Sequence, residues 1–136
     1  AAMIPIGTAL QTTGVSSLIA TSISAYASSL SLFWILLIIL IITMVTTDII
    51  NNAATAVIMA PISTGIALEL GYAIEPFLMV VAVGASCAFL TPIGHQCNTV
   101  VMGPGNYKFT DYWRMGLPMD ILIILASIPM ILFVWT

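Results

Sequence analysis

Charge is what this chain has least of. Only 5% of its 136 residues are Asp, Glu, Lys or Arg, against 61% hydrophobic, and the mean hydropathy is +1.19. That composition argues against a water-soluble globule and for a chain that lives in a bilayer. Basic residues are scarcest of all: Lys108 and Arg114 are the two in the sequence. With no basic surface there is nothing to hold nucleic acid, and that class of partner is set aside. The two cysteines, Cys87 and Cys97, offer neither a disulfide framework nor metal-ligand spacing, and they say nothing about redox compartment. The opening Ala1-Ala2-Met3-Ile4 lacks an initiator methionine, a charged leader and a cleavage pattern, so the chain is expected to be part of a longer polypeptide.

The few charges are also unevenly placed. None occurs before Asp48, and none lies between Glu75 and Lys108, which leaves two long tracts able to sit in hydrocarbon. Residues 1–14 read as the end of a membrane helix truncated at its start, stopped at Gln11-Thr12-Thr13-Gly14. Residues 15–30 put Val15, Leu18, Ile19, Ile23, Tyr26 and Leu30 on one side and serines and threonines on much of the other, as an uncharged amphipathic helix at the membrane surface. Residues 31–71 are expected to form a helical hairpin with its tip at 48–55, and Gly71 suits the left-handed residue that closes its second helix. Glu75-Pro76 starts the next helix, with proline in the first turn.

That next helix, 76–105, is expected to be broken. About 15 residues from Pro76 to Leu90 rise only about 22 Å, short of a full crossing, and the polar loop 91–98 interrupts otherwise membrane-grade sequence. Residues 106–116, with four aromatics and both basic side chains in Tyr107–Arg114, read as an interfacial loop, cytoplasmic by the positive-inside tendency. Residues 117–135 then make a final spanning helix. The fold class expected is all-α: a polytopic membrane protein.

Two polar breaks at membrane depth are where chemistry is expected. Unwound backbone there leaves N–H and C=O groups without helical partners, each costing several kcal/mol in hydrocarbon unless protein, water or a ligand satisfies them. Paired helix ends at Asn51-Asn52 would present carbonyls, which suit a small cation such as Na⁺, beside amides, which suit an anion. One tip then holds both a coupling ion and an anionic substrate, the arrangement of a secondary transporter with discontinuous helices.

In its two motifs the chain resembles the C-terminal part of the divalent anion/sodium symporter family, which contains dicarboxylate, citrate and sulfate carriers. The first motif, TDIINNAATA, stands in place of the family's Thr-Glu…Ser-Asn-Thr; the second is TPIGHQCNTVVMGPGNYKFTDYWRMGLP, at the break in the penultimate helix. The wording of the second is similar to bacterial permeases that carry soluble TrkA-C-type domains between their two halves. The resemblance implies two inverted repeats, each with a re-entrant hairpin and a broken helix, of which this chain supplies the second. It further implies an N-terminal half of the same permease as partner, a homodimer, an elevator-type movement, and a multi-pass place in the inner cell membrane. Carried over by position, Asn52, Ala53, Thr55, Thr91, Pro92 and Asn98 bind the divalent anion, and Thr47, Asn51, Asn52 and Thr91 bind Na⁺. No residue takes a catalytic role. Ala53 stands where the family has threonine and Asn51 where it has serine, so sulfate and a dicarboxylate both remain open, with sulfate preferred.

Other readings stand beside these. Asn51-Asn52 can be a plain polar turn, although Asp48 and the flanking apolar runs speak for a site. Asp48 is equally a structural partner or helix cap and an ion- or proton-coupling group. His95 is first a hydrogen-bonded loop residue and second a proton carrier, H⁺ being the alternative coupling ion. An intramembrane enzyme would need Asp48, His95 and Cys97 aligned, and no spacing aligns them. A non-transporting membrane subunit explains the hydrophobicity but not the two polar breaks.

Overall fold

The computed structural model describes residues 12–14, 22 and 30–135, and these contain helices and no strand. The truncated helix of 1–14 and the amphipathic helix of 15–30 lie, but for those few positions, outside the described residues. Five helices follow in order: α1 (Leu32–Ile49), α2 (Asn52–Leu70), α3 (Glu75–Ser86), α4 (Gln96–Met102) and α5 (Phe109–Trp135). Three of them, α1, α2 and α5, are long and apolar enough to cross a membrane, which is the all-α, polytopic architecture expected.

α1 is almost purely apolar, and its 18 residues rise about 27 Å. One face, Ile35, Leu36, Ile39, Leu40 and Met44, is buried, whereas Trp34, Ile38, Ile41, Ile42 and Val45 remain exposed. An apolar residue on both faces is wasteful in water but ordinary in lipid. α2 buries Ala54, Thr55, Met59, Ile62, Ser63, Ile66 and Ala67 along one stripe. Pro61 sits inside α2, and the hydroxyls after it return to the backbone, Ser63 to the Ala60 carbonyl and Thr64 to that of Pro61. α2 ends as expected at Gly71 (φ 74°): the Gly71 N–H donates to Leu68 O and the Tyr72 N–H to Ala67 O, a Schellman closure.

The shortest core element is the most deeply embedded. α3 starts at Glu75 with Pro76 in its first turn and packs most extensively on α1 and α2, with Phe77 and Val80 fully buried. Its Gly84 meets α1 so closely that a Cβ there would lie 2.9 Å from Thr43 Cβ. Such small-residue contacts are what bring helices together in lipid, where apolar burial alone supplies no drive. Ile128 and Ile131 of α5 complete the same core.

Three boundaries differ from those the sequence suggests. The hairpin turn is narrower than 48–55, because Asp48 still belongs to α1 and Asn52 already opens α2, leaving Ile50 and Asn51 between them. The break comes earlier than 91–98: α3 stops at Ser86, and the irregular stretch is Cys87–His95. The interfacial loop shrinks, since α5 begins at Phe109. There Asp111 accepts the Lys108 N–H (2.8 Å) while its own N–H donates to Lys108 O, so the acidic residue draws the aromatic stretch into a helical turn.

Candidate functional site

The turn between α1 and α2 lies against the break that follows α3, and a few side chains join them. Asn51 is the N-cap of α2: its Oδ1 accepts the Ala54 N–H (2.8 Å) and its carbonyl accepts that of Thr55 (2.9 Å). An α-helix begins with four N–H groups lacking helical partners. The Asn51 side chain satisfies one of these, that of Ala54, while its carbonyl takes the first regular helical bond, and the Asn52 and Ala53 N–H groups are left at the positive end of the helix dipole. Asn51 and Ala53 are exposed and Asn52 is half-buried.

Thr47 is fully buried one turn earlier. Its hydroxyl stands 3.0 Å from Asn52 Oδ1 and 2.9 Å from the Ala85 carbonyl of α3, so one side chain ties the turn to the helix behind it. On the next residue, Asp48 Oδ1 accepts the Leu90 N–H (3.1 Å) and the Asp48 carbonyl accepts the Thr91 hydroxyl (2.6 Å). These bonds explain the early break: α1 takes hold of backbone that would otherwise continue α3.

Thr91 organises the rest of the loop. Besides donating to Asp48, its oxygen lies 3.3 Å from the Ile93 N–H and 3.2 Å from the Gly94 N–H. Gly94 then sits so tightly against α1 that a Cβ would come within 2.8 Å of the Thr47 carbonyl oxygen. Thr91→Val keeps the shape and removes those polar contacts, leaving the Asp48 carbonyl short of its donor. It is expected to destabilise the protein by about 2 kcal/mol, read as a lowered midpoint of thermal unfolding in detergent; an unchanged midpoint would contradict the arrangement.

Asn98, in α4, closes the loop from the far side. Its Nδ2 donates to Ala88 O (2.9 Å) and Thr91 O (3.3 Å), and its own carbonyl accepts the Tyr112 hydroxyl of α5 (2.7 Å). Asn98 therefore holds the break in shape with a carboxamide committed to backbone. Pro92 is buried, and its carbonyl accepts the Thr99 hydroxyl. His95 is exposed and serves as the N-cap of α4, with Nδ1 accepting the Cys97 N–H at 3.2 Å. Thr55 lies inside α2, fully buried, and its hydroxyl has no partner.

The structure thus brings Thr47, Asp48, Asn51, Asn52, Thr91 and Gly94 into one cluster, with Asn98 behind it and His95 at its edge. A cavity of about 360 Å³ lies on the α4–α5 side of the break, bounded by Phe89, Asn98, Val101, Tyr112 and Met119 among others. Of the sequence-derived site residues only Asn98 touches it. Two participants were not singled out from sequence: Tyr112, which bonds Asn98, and Asp120, a carboxylate on α5 that is 7% exposed. Asp120 sits in an apolar helix, and a lone acid at membrane depth is the signal that could have found it. Among the described residues no cluster of three or more His, Cys, Asp or Glu side chains offers a transition-metal site.

Comparison with known proteins places this geometry in context. The profile of the sodium:sulfate symporter transmembrane region matches residues 1–136. An uncharacterised transporter of Synechocystis sp. is 37% identical over 135 residues, covering 99% of this chain and 22% of that protein. The uncharacterised transporter YfbS of Escherichia coli K12 is 48% identical over 82 residues, 60% of this chain and 13% of its own length. Sodium/sulfate cotransporter 2 of Chlamydomonas reinhardtii is 29% identical over 129 residues, 93% of this chain and 14% of that protein. The chain therefore spans less than a quarter of the length of each of these three relatives. With its whole length under the profile, and its helices built to cross a membrane, the chain belongs to the sodium:sulfate symporter family, a family of transporters and not of enzymes.

Proposed function

We propose that this chain is the C-terminal, substrate-binding part of a permease that carries a small divalent anion, sulfate or a dicarboxylate, in symport with Na⁺. The observation that carries the proposal is the junction of Thr47, Asn52 and Ala85 with Asp48 and Thr91. There the end of one membrane helix, the start of another and an irregular break meet through side-chain bonds. The Asn52 and Ala53 N–H groups at the start of α2 offer two donors to an oxyanion, and the helix dipole favours its charge. Around the end of α1, the Thr47 hydroxyl, the Asn52 carboxamide and nearby carbonyls supply the oxygen donors a small hard cation takes.

In this proposal Asn52, Ala53, Thr55, Thr91, Pro92 and Asn98 form the anion site and its support, and Thr47, Asn51, Asn52 and Thr91 the Na⁺ site. Asn51, Asn98 and Thr55 act from within it: the first two are committed to backbone and the third is buried, so their part is to hold the amides and carbonyls in position. Asp48 is a coupling group and His95 a second candidate, with H⁺ as the alternative ion. The hairpin is re-entrant, the N-terminal half of the same permease supplies the other repeat, and two such permeases form a homodimer in the inner membrane. The α1–α2 hairpin, α3 and α4 move together as an elevator, since the bonds just described fasten them to one another. A branch with TrkA-C-type domains between the halves fits the wording of the break. The Chlamydomonas relative is a sodium/sulfate cotransporter by name, which supports sulfate as the first anion to try.

The full-length permease reconstituted in liposomes is expected to accumulate radiolabelled sulfate or succinate when Na⁺ is supplied outside. Uptake should fall to background with choline in place of Na⁺. Uptake indifferent to that exchange removes Na⁺ coupling, and a pH gradient is then the driving force to apply.

A further inference from the structure

One face of α5 touches the break at two points. Tyr112, half-buried in the first turn of α5, donates its hydroxyl hydrogen to the Asn98 carbonyl of α4 at 2.7 Å. One turn on, at the four-residue spacing that puts two side chains on the same face of a helix, Gly116 lies against the backbone of the break. A Cβ there would fall 2.7 Å from the Phe89 carbonyl carbon and 3.0 Å from the Leu90 nitrogen. Tyr112 also reaches the far end of α4. Its ring meets that of Tyr107 edge to face, with centroids 6.2 Å apart, and the Tyr107 N–H donates to the carbonyl of Met102, the last residue of α4. One side chain thus holds α4 near its start and at its finish.

What Asn98 holds in turn lies nearer the proposed site. Its carboxamide donates to the Thr91 carbonyl (3.3 Å) as well as to that of Ala88 (2.9 Å), and the Thr91 hydroxyl donates to the Asp48 carbonyl (2.6 Å) in the last turn of α1. Gly94, whose N–H meets the Thr91 hydroxyl at 3.2 Å, rests against the Thr47 carbonyl. Bonds of this kind fix a stretch of backbone that has left the helical ladder. When one is lost, the stretch samples other arrangements, and a site that is competent only part of the time binds more weakly by that fraction.

We infer that Tyr112 is a positioning residue: its hydroxyl fixes α4 and the break so that Thr91 stays on Asp48, and it sets anion affinity at the Asn51-Asn52 turn through Thr91 rather than by contact. The inference rests on the proposed anion site for where its effect on binding is read. Tyr112→Phe removes the hydroxyl and keeps the ring against Tyr107, so the protein stays folded.

The test uses the full-length permease in detergent. Without any anion, hydrogen–deuterium exchange is followed by mass spectrometry in wild type, Tyr112→Phe and Trp113→Phe, the last altering an exposed ring one residue on. Tyr112→Phe is expected to speed exchange in peptides covering residues 87–99 at least about fivefold, the worth of one hydrogen bond, and Trp113→Phe to match wild type. Unchanged exchange in Tyr112→Phe, or equal acceleration in both variants, overturns the inference. Calorimetry with sulfate and succinate then reads the site. Tyr112→Phe is expected to weaken binding at least about fivefold, but by less than about twofold when added to Thr91→Val, because the two act along one path. Wild-type affinity in Tyr112→Phe, or losses that multiply in the double variant, overturns the inference. In liposomes the same variant should raise KM and keep the maximal rate, the mark of lost binding and not of lost movement. Failure of the proposed function shows differently, as a wild type that binds neither anion, and the exchange measurement still decides whether Tyr112 holds the break.

Discussion

Asn52→Ala in the full-length permease is expected to reduce anion affinity by at least about 100-fold, close to 2.7 kcal/mol, while the protein stays folded. Both halves of that expectation come from the same contacts. The carboxamide sits in the first turn of α2 beside the two N–H groups that Asn51 does not cap, so its loss strips a polar group from the place where the anion is proposed to bind. Folding survives because the substitution orphans nothing. Thr47 keeps the Ala85 carbonyl as its acceptor, and the Asn51 cap is untouched. The stability cost should stay near or below about 1 kcal/mol, the net worth of one replaceable hydrogen bond. Titration calorimetry with sulfate and succinate, beside thermal unfolding, separates the two effects. Wild-type affinity in a folded variant would take the turn out of the site.

Gly116→Ala should have the largest effect on stability of any single methyl added here. A Cβ at this position would lie 2.4 Å from the Phe89 carbonyl oxygen and 2.7 Å from its carbon. Those are backbone atoms, held by the Asp48 bond to Leu90 and the Asn98 bond to Ala88, and they cannot swing aside as a side-chain tip would. α5 must then retreat from the break, at a cost of about 3 kcal/mol, the upper end for overpacking. Gly103→Ala is the control: nothing lies within 4 Å of its would-be Cβ, so its midpoint of unfolding should match wild type. Equal midpoints for the two variants would mean that α5 does not bear on the break as described. Because the Tyr112 bond to Asn98 crosses the same contact, Gly116→Ala should also slow transport in liposomes.

Much of this arrangement is written locally in the chain, and what is not written locally is what sequence reading missed. The three long helices follow from apolar runs, Gly71 from its place after Leu70, and the start of α3 from Glu75-Pro76, all short-range signals. The polar clusters around Asn51 and Thr91 stand out because polar groups are expensive where they occur. The end of α3 was not legible in the same way. Ala88, Phe89 and Leu90 are good membrane-helix residues, and the helix stops because Asp48 and Asn98, 42 and 10 residues from their partners, take its backbone groups. Helix propensity lost to tertiary bonding. Asp120 escaped for a related reason: in sequence it groups with the exposed charges of Lys108 to Arg114, and only the packing of Gly116 against Phe89 turns its face inward.

The Thr47 hydroxyl carries one hydrogen, yet it stands between two oxygens. Both contacts are attractive together only when Ala85 receives the hydrogen and the Asn52 carboxamide is turned so that its nitrogen meets Thr47, the orientation of such a group being exchangeable by a half-turn. Asn52 then shows its oxygen to the outside of the turn, the pole that welcomes a cation.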